Sequence, residues 1–454
     1  MIHDVAETRS CTNDSPFVLD VTTHPIPKLA QKQTVKQMTS PDNVPFSEAI
    51  ASSERNANAI PSDALPTGFS YAGVACGIKP SGNLDVSLIV SEQPVVAAGV
   101  YTQNQVVAAP VVLTREKTPN HSIRAVITNS GNANACTGDQ GMADAQEMCS
   151  LVAEKIGCSA ESILLMSTGV IGKHLPMDCI RNGIRDAYSQ LEGTPAAFVR
   201  SAEAIRTTDK NLKVEFEQID LGGREFRIAA MAKGAGMIAP NMATMLSTIL
   251  TDVPLTAEMA QETLSRVAAA SFNRVSVDGH TSTNDTLLLL SSGQGAPLNS
   301  AEQIEFENSL TNLAIKLAKQ LVADGEGAQH VMSILVKGAA DESTAEIVAK
   351  TVAASPLVKT AITGGDPNWG RIVSAAGYAE ARICPEKTSL EILGTTIYLH
   401  GSPVDFDEAA LSHKMKTSPE VSMVLSVGDG PGTAQYWASD LTTDYVQFNS
   451  EYTT

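Results

Sequence analysis

The feature that most constrains the fold is an alternation of short apolar runs with helix-like segments, which begins near Gly68. The runs 86–92 (VSLIVSE), 95–102 (VVAAGVYT) and 123–131 (IRAVITNSG) are rich in β-branched residues and bounded by Pro, Gly or Asn, which is typical of strands. The segment 142–157 (MADAQEMCSLVAEKIG) then has apolar residues at helical spacing and ends in a glycine. The alternation predicts a mixed α/β fold.

The middle and C-terminal parts of the chain continue this pattern. A helix is predicted at 255–272 with Thr256 as its N-cap, and the longest helix at 300–325 with Ser300 as its N-cap and Gly325 as its stop. Further strands are predicted at 225–234 (EFRIAAMAKG), 244–252 (TMLSTILTD), 285–293 (DTLLLLSSG), 330–340 (HVMSILVKGAA) and 389–401 (SLEILGTTIYLHG).

Residues 1–62 differ from the rest of the chain. They contain polar stretches such as KLAQKQTVKQ without sustained periodicity, which predicts a poorly ordered N-terminal extension. The remaining residues are predicted to form at least two domains of a mixed α/β architecture, because their number exceeds that of one ordinary domain.

The composition excludes some classes of protein. Lys and Arg number 32 against 50 Asp and Glu, so the net charge is -18, which disfavours binding to nucleic acid or to an anionic membrane surface. No apolar run approaches the roughly 18 residues of a membrane span, and the first ten residues lack the apolar core of a signal peptide. The seven cysteines form no CxxC pair, which predicts reduced thiols and a cytoplasmic location.

The most unusual stretch is 233–246 (KGAGMIAPNMATML). Its glycines and Pro-Asn pair indicate a turn, and the small residue Ala243 then precedes the hydroxyl of Thr244 at the start of a predicted strand. A strained peptide bond there could undergo an N-to-O acyl shift and hydrolyse. The new α-amine of Thr244, with a reference pKa of roughly 7.7–8, would then accept the proton of its own hydroxyl. The alternative is a glycine-bearing loop that leads into an ordinary strand.

A second candidate is 166–173 (MSTGVIGK). The Thr168 hydroxyl and the Gly169 backbone N–H could stabilise a developing oxyanion, as acyl transfer requires. The spacing of its glycines and lysine is too short for a phosphate-binding loop, so nucleotide binding is disfavoured. The alternative is a plain turn.

Three further polar segments are candidates for binding. Residues 207–209 (TTD) would suit a substrate carboxylate or amide, and the glycines of 324–327 (DGEG) would expose a carboxylate at a helix end. The alternative for this carboxylate is an ordinary solvated acid without a function. In 364–371 (GGDPNWGR), a functional and a folding role are equally favoured. The isolated histidines have no partner at metal-ligand spacing, so no metal site is predicted.

Taken together, these segments resemble the glutamate N-acetyltransferase/ornithine acetyltransferase family of arginine biosynthesis, over roughly residues 63–454. The central block 233–246 is the most specific part of the resemblance. The other segments that carry it are AGVACGIK at 72–79, NSGNANACTG at 129–138, STGVIG at 167–172, SFNRVSVDGHTSTNDT at 271–286, DGEGA at 324–328, GGDPNWGRI at 364–372 and NSEYTT at 449–454.

The resemblance implies self-cleavage between Ala243 and Thr244, into an α chain 1–243 and a β chain 244–454. The α chain would consist of the extension 1–62 and the region 63–243, which would contain the oxyanion hole. Thr244 would be the nucleophile that takes the acetyl group of N-acetylornithine and passes it to glutamate, while Thr168 and Gly169 form the oxyanion hole. The substrate contacts that the resemblance implies are Thr207, Lys233, Thr244, Glu326, Asn449 and Thr454.

The resemblance also implies a two-domain α/β fold particular to the family and an assembly of two α and two β chains. No cofactor is implied, although acetyl-CoA is a possible co-substrate. The sequence departs from the family pattern in the long extension 1–62 and in His280, which stands where the family has an acid.

Three alternatives stay open. One is a specialised paralogue of the family with different acyl or amine substrates. Another is a self-processed amidohydrolase that transfers the acyl group to water. The third is a non-catalytic binding protein that keeps the fold, which the presence of Thr244, Thr168, Gly169, Lys233 and Glu326 argues against.

Overall fold

The apolar runs of the sequence form the strands of two separate β-sheets. The computed structural model of the protein describes residues 60–61, 63–239 and 245–451. Apart from residues 60 and 61, the predicted extension 1–62 lies outside the described residues. Ile60 is buried and packs with Val199, so this residue of the predicted extension belongs to the described core.

The first sheet has eight strands. They are β1 (Phe69–Val74), β2 (Val86–Tyr101), β3 (Asn120–Asn132), β4 (Ile163–Val170), β5 (Lys213–Leu221), β6 (Arg224–Lys233), β7 (Leu246–Thr251) and β9 (Thr286–Ser291). Their order in space is β4-β3-β2-β9-β7-β6-β5, and β1 pairs with the first half of β2. The pairs β3–β4 and β7–β9 are parallel and the others antiparallel, so the sheet is mixed.

Four helices from the first half of the chain pack on this sheet: α1 (Ala109–Glu116), α2 (Gly138–Ile156), α3 (Met177–Ser189) and α4 (Pro195–Ala204). Met148 of α2 and Ile180 of α3 lie in one buried cluster with residues of β1 to β4. Phe198 of α4 makes an edge-to-face contact with Tyr71 of β1, with ring centroids 5.2 Å apart. These contacts fix the end of β4 and the chain that leaves α4.

The second sheet has seven strands in the order β13-β12-β11-β14-β10-β15-β8. They are β8 (Val275–Ser276), β10 (Val331–Ala339), β11 (Ser389–Ile392), β12 (Thr395–Leu399), β13 (Ser402–Pro403), β14 (Glu420–Ser426) and β15 (Gly432–Ser439). The helices α7 (Glu342–Ala354), α8 (Pro356–Gly364), α9 (Trp369–Gly377) and α10 (Glu408–Thr417) bury apolar residues against it.

Two helices contribute to a core that contains residues of both sheets. They are α5 (Ala257–Ala270) and α6 (Ser300–Ala323). Leu264 of α5 and Phe306 of α6 are fully buried in one cluster with Ile249 of the first sheet and with Val331 and Trp437 of the second. Burial of each such side chain contributes roughly 1.5–3 kcal/mol. The last described helix is α11 (Thr443–Glu451).

The predicted mixed α/β class is confirmed, and most predicted elements lie where the sequence placed them. Thr256 caps α5 by accepting a hydrogen bond from the amide of Met259. The predicted strand 389–401 is instead a hairpin, β11 and β12, which turns at Leu393 and Gly394, both with positive φ.

The predicted N-cap Ser300 is wrong. Asn299 caps α6, because its Oδ1 accepts hydrogen bonds from the amides of Ala301 and Glu302 at 2.9 and 3.1 Å. The side chain of Glu302 in turn accepts from the amide of Asn299 at 2.8 Å, which completes a capping box.

Within the described ranges, none of the helices combines the length and the apolar character that crossing a lipid bilayer needs.

The capping box generates a test of the α6 boundary. Asn299→Ala should lower the free energy of unfolding by about 1 kcal/mol, because two amides lose their acceptor. Urea unfolding followed by circular dichroism measures this loss. Ser300→Ala is the matched control and should change the stability by less than about 0.5 kcal/mol. A larger loss of stability in the Ser300 variant than in the Asn299 variant would show that Ser300 is the N-cap, as predicted from the sequence.

Candidate active site

The predicted cleavage point between Ala243 and Thr244 lies outside the described residues, but the chain on either side of it is described. Lys233 ends β6 and Leu246 begins β7, and these two residues lie opposite each other in the antiparallel pair. Opposite residues in such a pair have Cα atoms roughly 4.5–5.5 Å apart. The sheet therefore places the chain that follows Thr244 beside Lys233.

Thr168 near the end of β4 lies within reach of Lys233, although β4 and β6 are not neighbours in the sheet. Its side chain is buried, and its Oγ1 accepts a hydrogen bond from the Lys233 Nζ at 3.4 Å. Because an ammonium group only donates, the hydroxyl proton of Thr168 remains available for another acceptor. The arrangement suits a hydroxyl that donates to an oxyanion.

Gly169 follows with a backbone conformation that only glycine adopts readily. Its φ is +135°, and a Cβ on this residue would lie 2.3 Å from the carbonyl carbon of Gly131 on β3. Both the positive φ and the close approach of the two strands therefore require glycine at this position.

Lys233 is almost completely buried. Burial lowers the pKa of its ammonium group, while Asp209, Glu326 and Asp285 oppose this shift by attraction. A partly desolvated cation gains more from an anionic ligand than an exposed one does. Lys233 is thus suited to bind a substrate carboxylate.

Asp209 holds the start of the central block. Its Oδ1 accepts a hydrogen bond from the amide of Gly234 at 2.6 Å, and its Oδ2 accepts from the amide of Thr207 at 3.0 Å. Burial acts to raise the pKa of this carboxyl, but the charges of Lys213 and Lys233 and these hydrogen bonds outweigh it. The pKa of Asp209 therefore lies below its usual range, and the group is ionised.

Lys213 lies between two buried carboxylates. Its Nζ donates to Asp209 Oδ1 at 2.7 Å and to Asp324 Oδ2 at 2.5 Å, and its side chain is inaccessible to solvent. Asp324, the C-cap of α6, also accepts from the amides of Lys210 and Asn211. This buried ion triad of Asp209, Lys213 and Asp324 joins the chain after α4 to the end of α6.

Glu326 lies two residues after Asp324, a member of the triad. Its Oε1 accepts a hydrogen bond from the hydroxyl of Thr208 at 2.7 Å, and its Oε2 accepts from Nδ2 of Asn449 on α11 at 3.2 Å. Its amide donates to the carbonyl of Ala235 at 2.8 Å. A Cβ at Gly236 would lie 2.4 Å from Glu326 Oε2, so the carboxylate packs directly on the central block.

Two carboxyl groups from the segment between β8 and β9 hold both flanks of the undescribed stretch. Asp278 accepts hydrogen bonds from the amides of Met237 and Ile238 at 2.7 and 2.9 Å. Asp285 Oδ1 accepts from the amide of Met245, the residue after Thr244, at 3.1 Å. One segment therefore positions the chain before and after the predicted cleavage point.

Both carboxyl groups favour their protonated form more than an ordinary aspartate does. Burial raises the pKa of Asp285 well above its usual range, although the hydrogen bond from the Met245 amide and the charge of Lys233 act to lower it. Burial likewise raises the pKa of Asp278, although the hydrogen bonds that it accepts from backbone amides act to lower it. A carboxyl group with a raised pKa is better matched to proton exchange near neutral pH than an ordinary aspartate is.

The structure brings together five of the predicted substrate and oxyanion residues by direct or shared hydrogen bonds and charge interactions: Thr168, Thr207, Lys233, Glu326 and Asn449. Gly169 adjoins Thr168 on β4. Ala243, Thr244 and Thr454 lie outside the described residues. The individual roles of all these residues stay predictions.

The sequence interpretation missed several residues that support this site. Asp278 and Asp285 had a signal, because each lies in a turn-rich segment beside a buried strand. Lys213 had none, since lysine in a polar context is ordinarily exposed. Its burial depends on the two carboxylates that pair with it, Asp209 and Asp324, and Asp324 is distant in the sequence.

The segment 364–371 has a folding role in the described structure. Asn368 caps α9 by accepting a hydrogen bond from the amide of Arg371 at 3.1 Å, and Trp369 stacks on Tyr398 with ring centroids 5.1 Å apart. His280 is exposed, and its amide donates to Asp278 at 3.1 Å. In the described part of the chain, no group of three or more His, Cys, Asp or Glu residues could hold a metal ion.

The buried ion triad generates a test of how the site is supported. Lys213→Met should lower the free energy of unfolding by roughly 3–5 kcal/mol, because two buried carboxylates lose their cation. Chemical unfolding measures the loss. Lys350→Met, on the exposed face of α7, is the matched control and should have little effect. Equal stability of the two variants would show that the triad is dispensable.

Comparisons with known proteins extend over almost all of the described chain. A model of the ArgJ family matches residues 70–454. The arginine biosynthesis bifunctional protein ArgJ of Rhodopirellula baltica is 57% identical over 398 residues, which are 87% of this chain and 97% of that protein. The protein of the same name from Symbiobacterium thermophilum is 45% identical over 395 residues, 86% of this chain and 98% of that protein.

Among solved structures, an ornithine acetyltransferase from Mycobacterium tuberculosis, complexed with ornithine, is 38% identical to the matched part. The match covers 41% of this chain and 96% of that chain, with a TM-score of 0.35. The family match and the two full-length relatives decide the assignment: the chain belongs to the ArgJ family.

Proposed function

We propose that this chain is an acyltransferase of arginine biosynthesis that moves the acetyl group of N-acetylornithine to glutamate. The products are ornithine and N-acetylglutamate. The observation that carries the proposal is the position of Lys233: its backbone pairs with Leu246, two residues after Thr244, and its Nζ donates to Thr168. A nucleophile, a cation and an oxyanion donor would then share one end of the first sheet.

Activity requires self-cleavage between Ala243 and Thr244. The Thr244 hydroxyl attacks the carbonyl carbon of Ala243, the peptide C–N bond breaks, and the ester that forms is hydrolysed by water. This frees the α-amine of Thr244. The hydrogen bonds that Asp278 and Asp285 accept on either side support the proposal, because they restrain both flanks of the bond.

Acetyl transfer then follows as two half-reactions on Thr244. The α-amine accepts the hydroxyl proton while Oγ1 attacks the acetyl carbonyl, and the proton passes to the leaving nitrogen of ornithine. The amine of glutamate attacks the acetyl ester in the same way. Thr168 and Gly169 would stabilise the oxyanion in both steps, and the donation from Lys233 supports this role because it leaves the Thr168 proton free.

The substrate contacts follow from charge. Lys233 suits the α-carboxylate, and Glu326 suits the δ-ammonium group of ornithine. Thr207, Asn449 and Thr454, together with Thr244 itself, complete the proposed binding set. Asn449 already donates to Glu326 Oε2, which orients the carboxylate.

The proposal extends to the assembly and to a second activity. The α and β chains would remain together as an α2β2 heterotetramer in the cytoplasm. The cysteines of the described residues are all free thiols, which is in line with a reducing compartment. Since the similar proteins are named bifunctional, we also propose that acetyl-CoA serves as an alternative acetyl donor to glutamate.

Intact-mass spectrometry under denaturing conditions tests the cleavage. The purified protein should give fragments of about 25 and 22 kDa, by proportion of the 47.7 kDa chain. Thr244→Ala should give a single uncut chain without transfer activity, because both steps lose their nucleophile. Thr244→Ser, which keeps a hydroxyl, should still be cut. An uncut yet fully active Thr244→Ala protein would exclude the mechanism.

Glu326→Gln tests the ornithine contact. The KM for N-acetylornithine should rise about tenfold or more, since a hydrogen bond to a charged group contributes roughly 1.5–3 kcal/mol. Self-cleavage should persist. Initial-rate kinetics with the cleaved protein measure the change, and Glu305→Gln on the exposed face of α6 is the control. Loss of cleavage and activity together would indicate a folding role.

The alternative of an amidohydrolase is tested on the unaltered protein. Release of acetate in place of N-acetylglutamate would favour that alternative.

A further inference from the structure

A polar cavity adjoins the candidate site at Thr207 and Asp209. It has a volume of about 300 Å³, and Lys79 and Arg206 line it together with Glu203, Thr207 and Asp209. This volume is at the lower end of the range for small-molecule sites, which is roughly 300–1,000 Å³. The cavity is therefore large enough for an amino-acid side chain.

The two cations of this cavity are bound by neutral groups. The Lys79 Nζ donates to the carbonyl of Leu84 at 2.5 Å, and Nη2 of Arg206 donates to the carbonyls of Asp209 and Lys210 at 2.7 and 2.8 Å. Among the described residues, neither cation forms an ion pair with a carboxylate.

The carboxylates nearest to them are already engaged. Asp85 accepts hydrogen bonds from four consecutive backbone amides, those of residues 76–79, at 2.7–3.1 Å. Asp209 is bound to Lys213 and to the amide of Gly234. The cavity lining has two cations and two carboxylates: Asp209 is already paired with Lys213, and Glu203 is exposed and forms no ion pair within the described ranges, so the charges of Lys79 and Arg206 are only partly compensated.

One further donor lacks an acceptor. Nε of Arg206 is buried and has no hydrogen-bond partner among the described residues. Burial also lowers the pKa of Lys79 to about 8, against the attraction of Asp85, which shows that its ammonium group is partly desolvated. An unpaired guanidinium donor beside a desolvated ammonium group is what an anionic ligand stabilises.

The two substrates of the proposed reaction have the same amino-acid core but opposite charges at the distal end. The δ-ammonium of ornithine is attracted to Glu326, whereas the side-chain carboxylate of glutamate is repelled by it. Thr207 lines the cationic cavity, and the next residue, Thr208, donates to Glu326. Adjacent residues of one dipeptide thus contact the cavity of Lys79 and Arg206 and the carboxylate of Glu326.

We propose that Lys79 and Arg206 bind the side-chain carboxylate of the acceptor glutamate. This inference rests on the proposed function and adds a specificity site to it. The donor directs its distal ammonium group to Glu326, and the acceptor directs its distal carboxylate to the cavity that Thr207 lines. One active site thereby accepts substrates of opposite distal charge in alternate half-reactions.

The test separates the two half-reactions in the cleaved enzyme. Exchange of labelled ornithine into N-acetylornithine reports the first half-reaction without glutamate, and formation of N-acetylglutamate reports the second. Lys79→Met and Arg206→Gln should each raise the KM for glutamate about tenfold. The exchange rate should change far less than this KM.

A second experiment compares glutamate with glutamine as the acceptor in the unaltered enzyme and in the variants. The unaltered enzyme should prefer glutamate to glutamine as acceptor, and both variants should lose this preference. Arg206→Lys should retain part of it, because it keeps the charge. Glu203→Gln, an exposed change that should not perturb folding, should lower the KM for glutamate about twofold by removing a repulsion.

Each contrary outcome has a separate meaning. Equal loss of exchange and glutamate transfer in the Lys79 and Arg206 variants would overturn the inference in favour of a structural role. A raised KM for acetyl-CoA with an unchanged KM for glutamate would also overturn it and assign the cavity to the phosphates of that donor. Absence of exchange in the unaltered enzyme would instead refute the proposed function itself.

Discussion

The candidate site depends on the buried ion triad around Lys213. This one ammonium group holds Asp209, which binds the amide of Gly234 beside Lys233, and Asp324, which precedes Glu326 by two residues. The two carboxylates come from chain segments more than a hundred residues apart, and without the cation they would repel each other at close range. The triad therefore sets the distance between the part of the site that contains Lys233 and the part that contains Glu326.

Local features of the fold could be predicted from the sequence, because strand and helix periodicity depends on neighbouring residues. The predictions from the sequence were wrong where the backbone conformation decides the start of a helix or the position of a turn. Asn299 and Ser300 are both good N-cap residues, and only the φ and ψ of the chain select Asn299. The turn at Leu393 and Gly394 was missed because leucine is an unusual residue for positive φ, so one strand was predicted where the chain makes two.

The residues of the site were predictable in type but not in arrangement. Thr168, Lys233 and Glu326 stood out in unusual segments, and family resemblance supplied their roles. Their proximity depends on the order of strands in the first sheet, which is non-local and has no counterpart in the spacing of residues. The charges around them were harder still to foresee: Lys213 is buried only because Asp209 and Asp324 compensate it, and the cavity of Lys79 and Arg206 combines two distant segments.

The position of β7 between β6 and β9 has a consequence for the unfolding and refolding of the cleaved enzyme that we propose. β6 would belong to one product chain, and β7 and β9 to the other, so neither chain could complete the sheet alone. The precursor folds in a unimolecular reaction, in which the intact peptide bond keeps the partners at a high effective concentration. After the cut, unfolding also separates two chains, and recovery becomes a bimolecular encounter whose success depends on dilution. Maturation would thus make refolding depend on concentration, so that at high dilution the active enzyme could not readily be rebuilt from its own denatured chains.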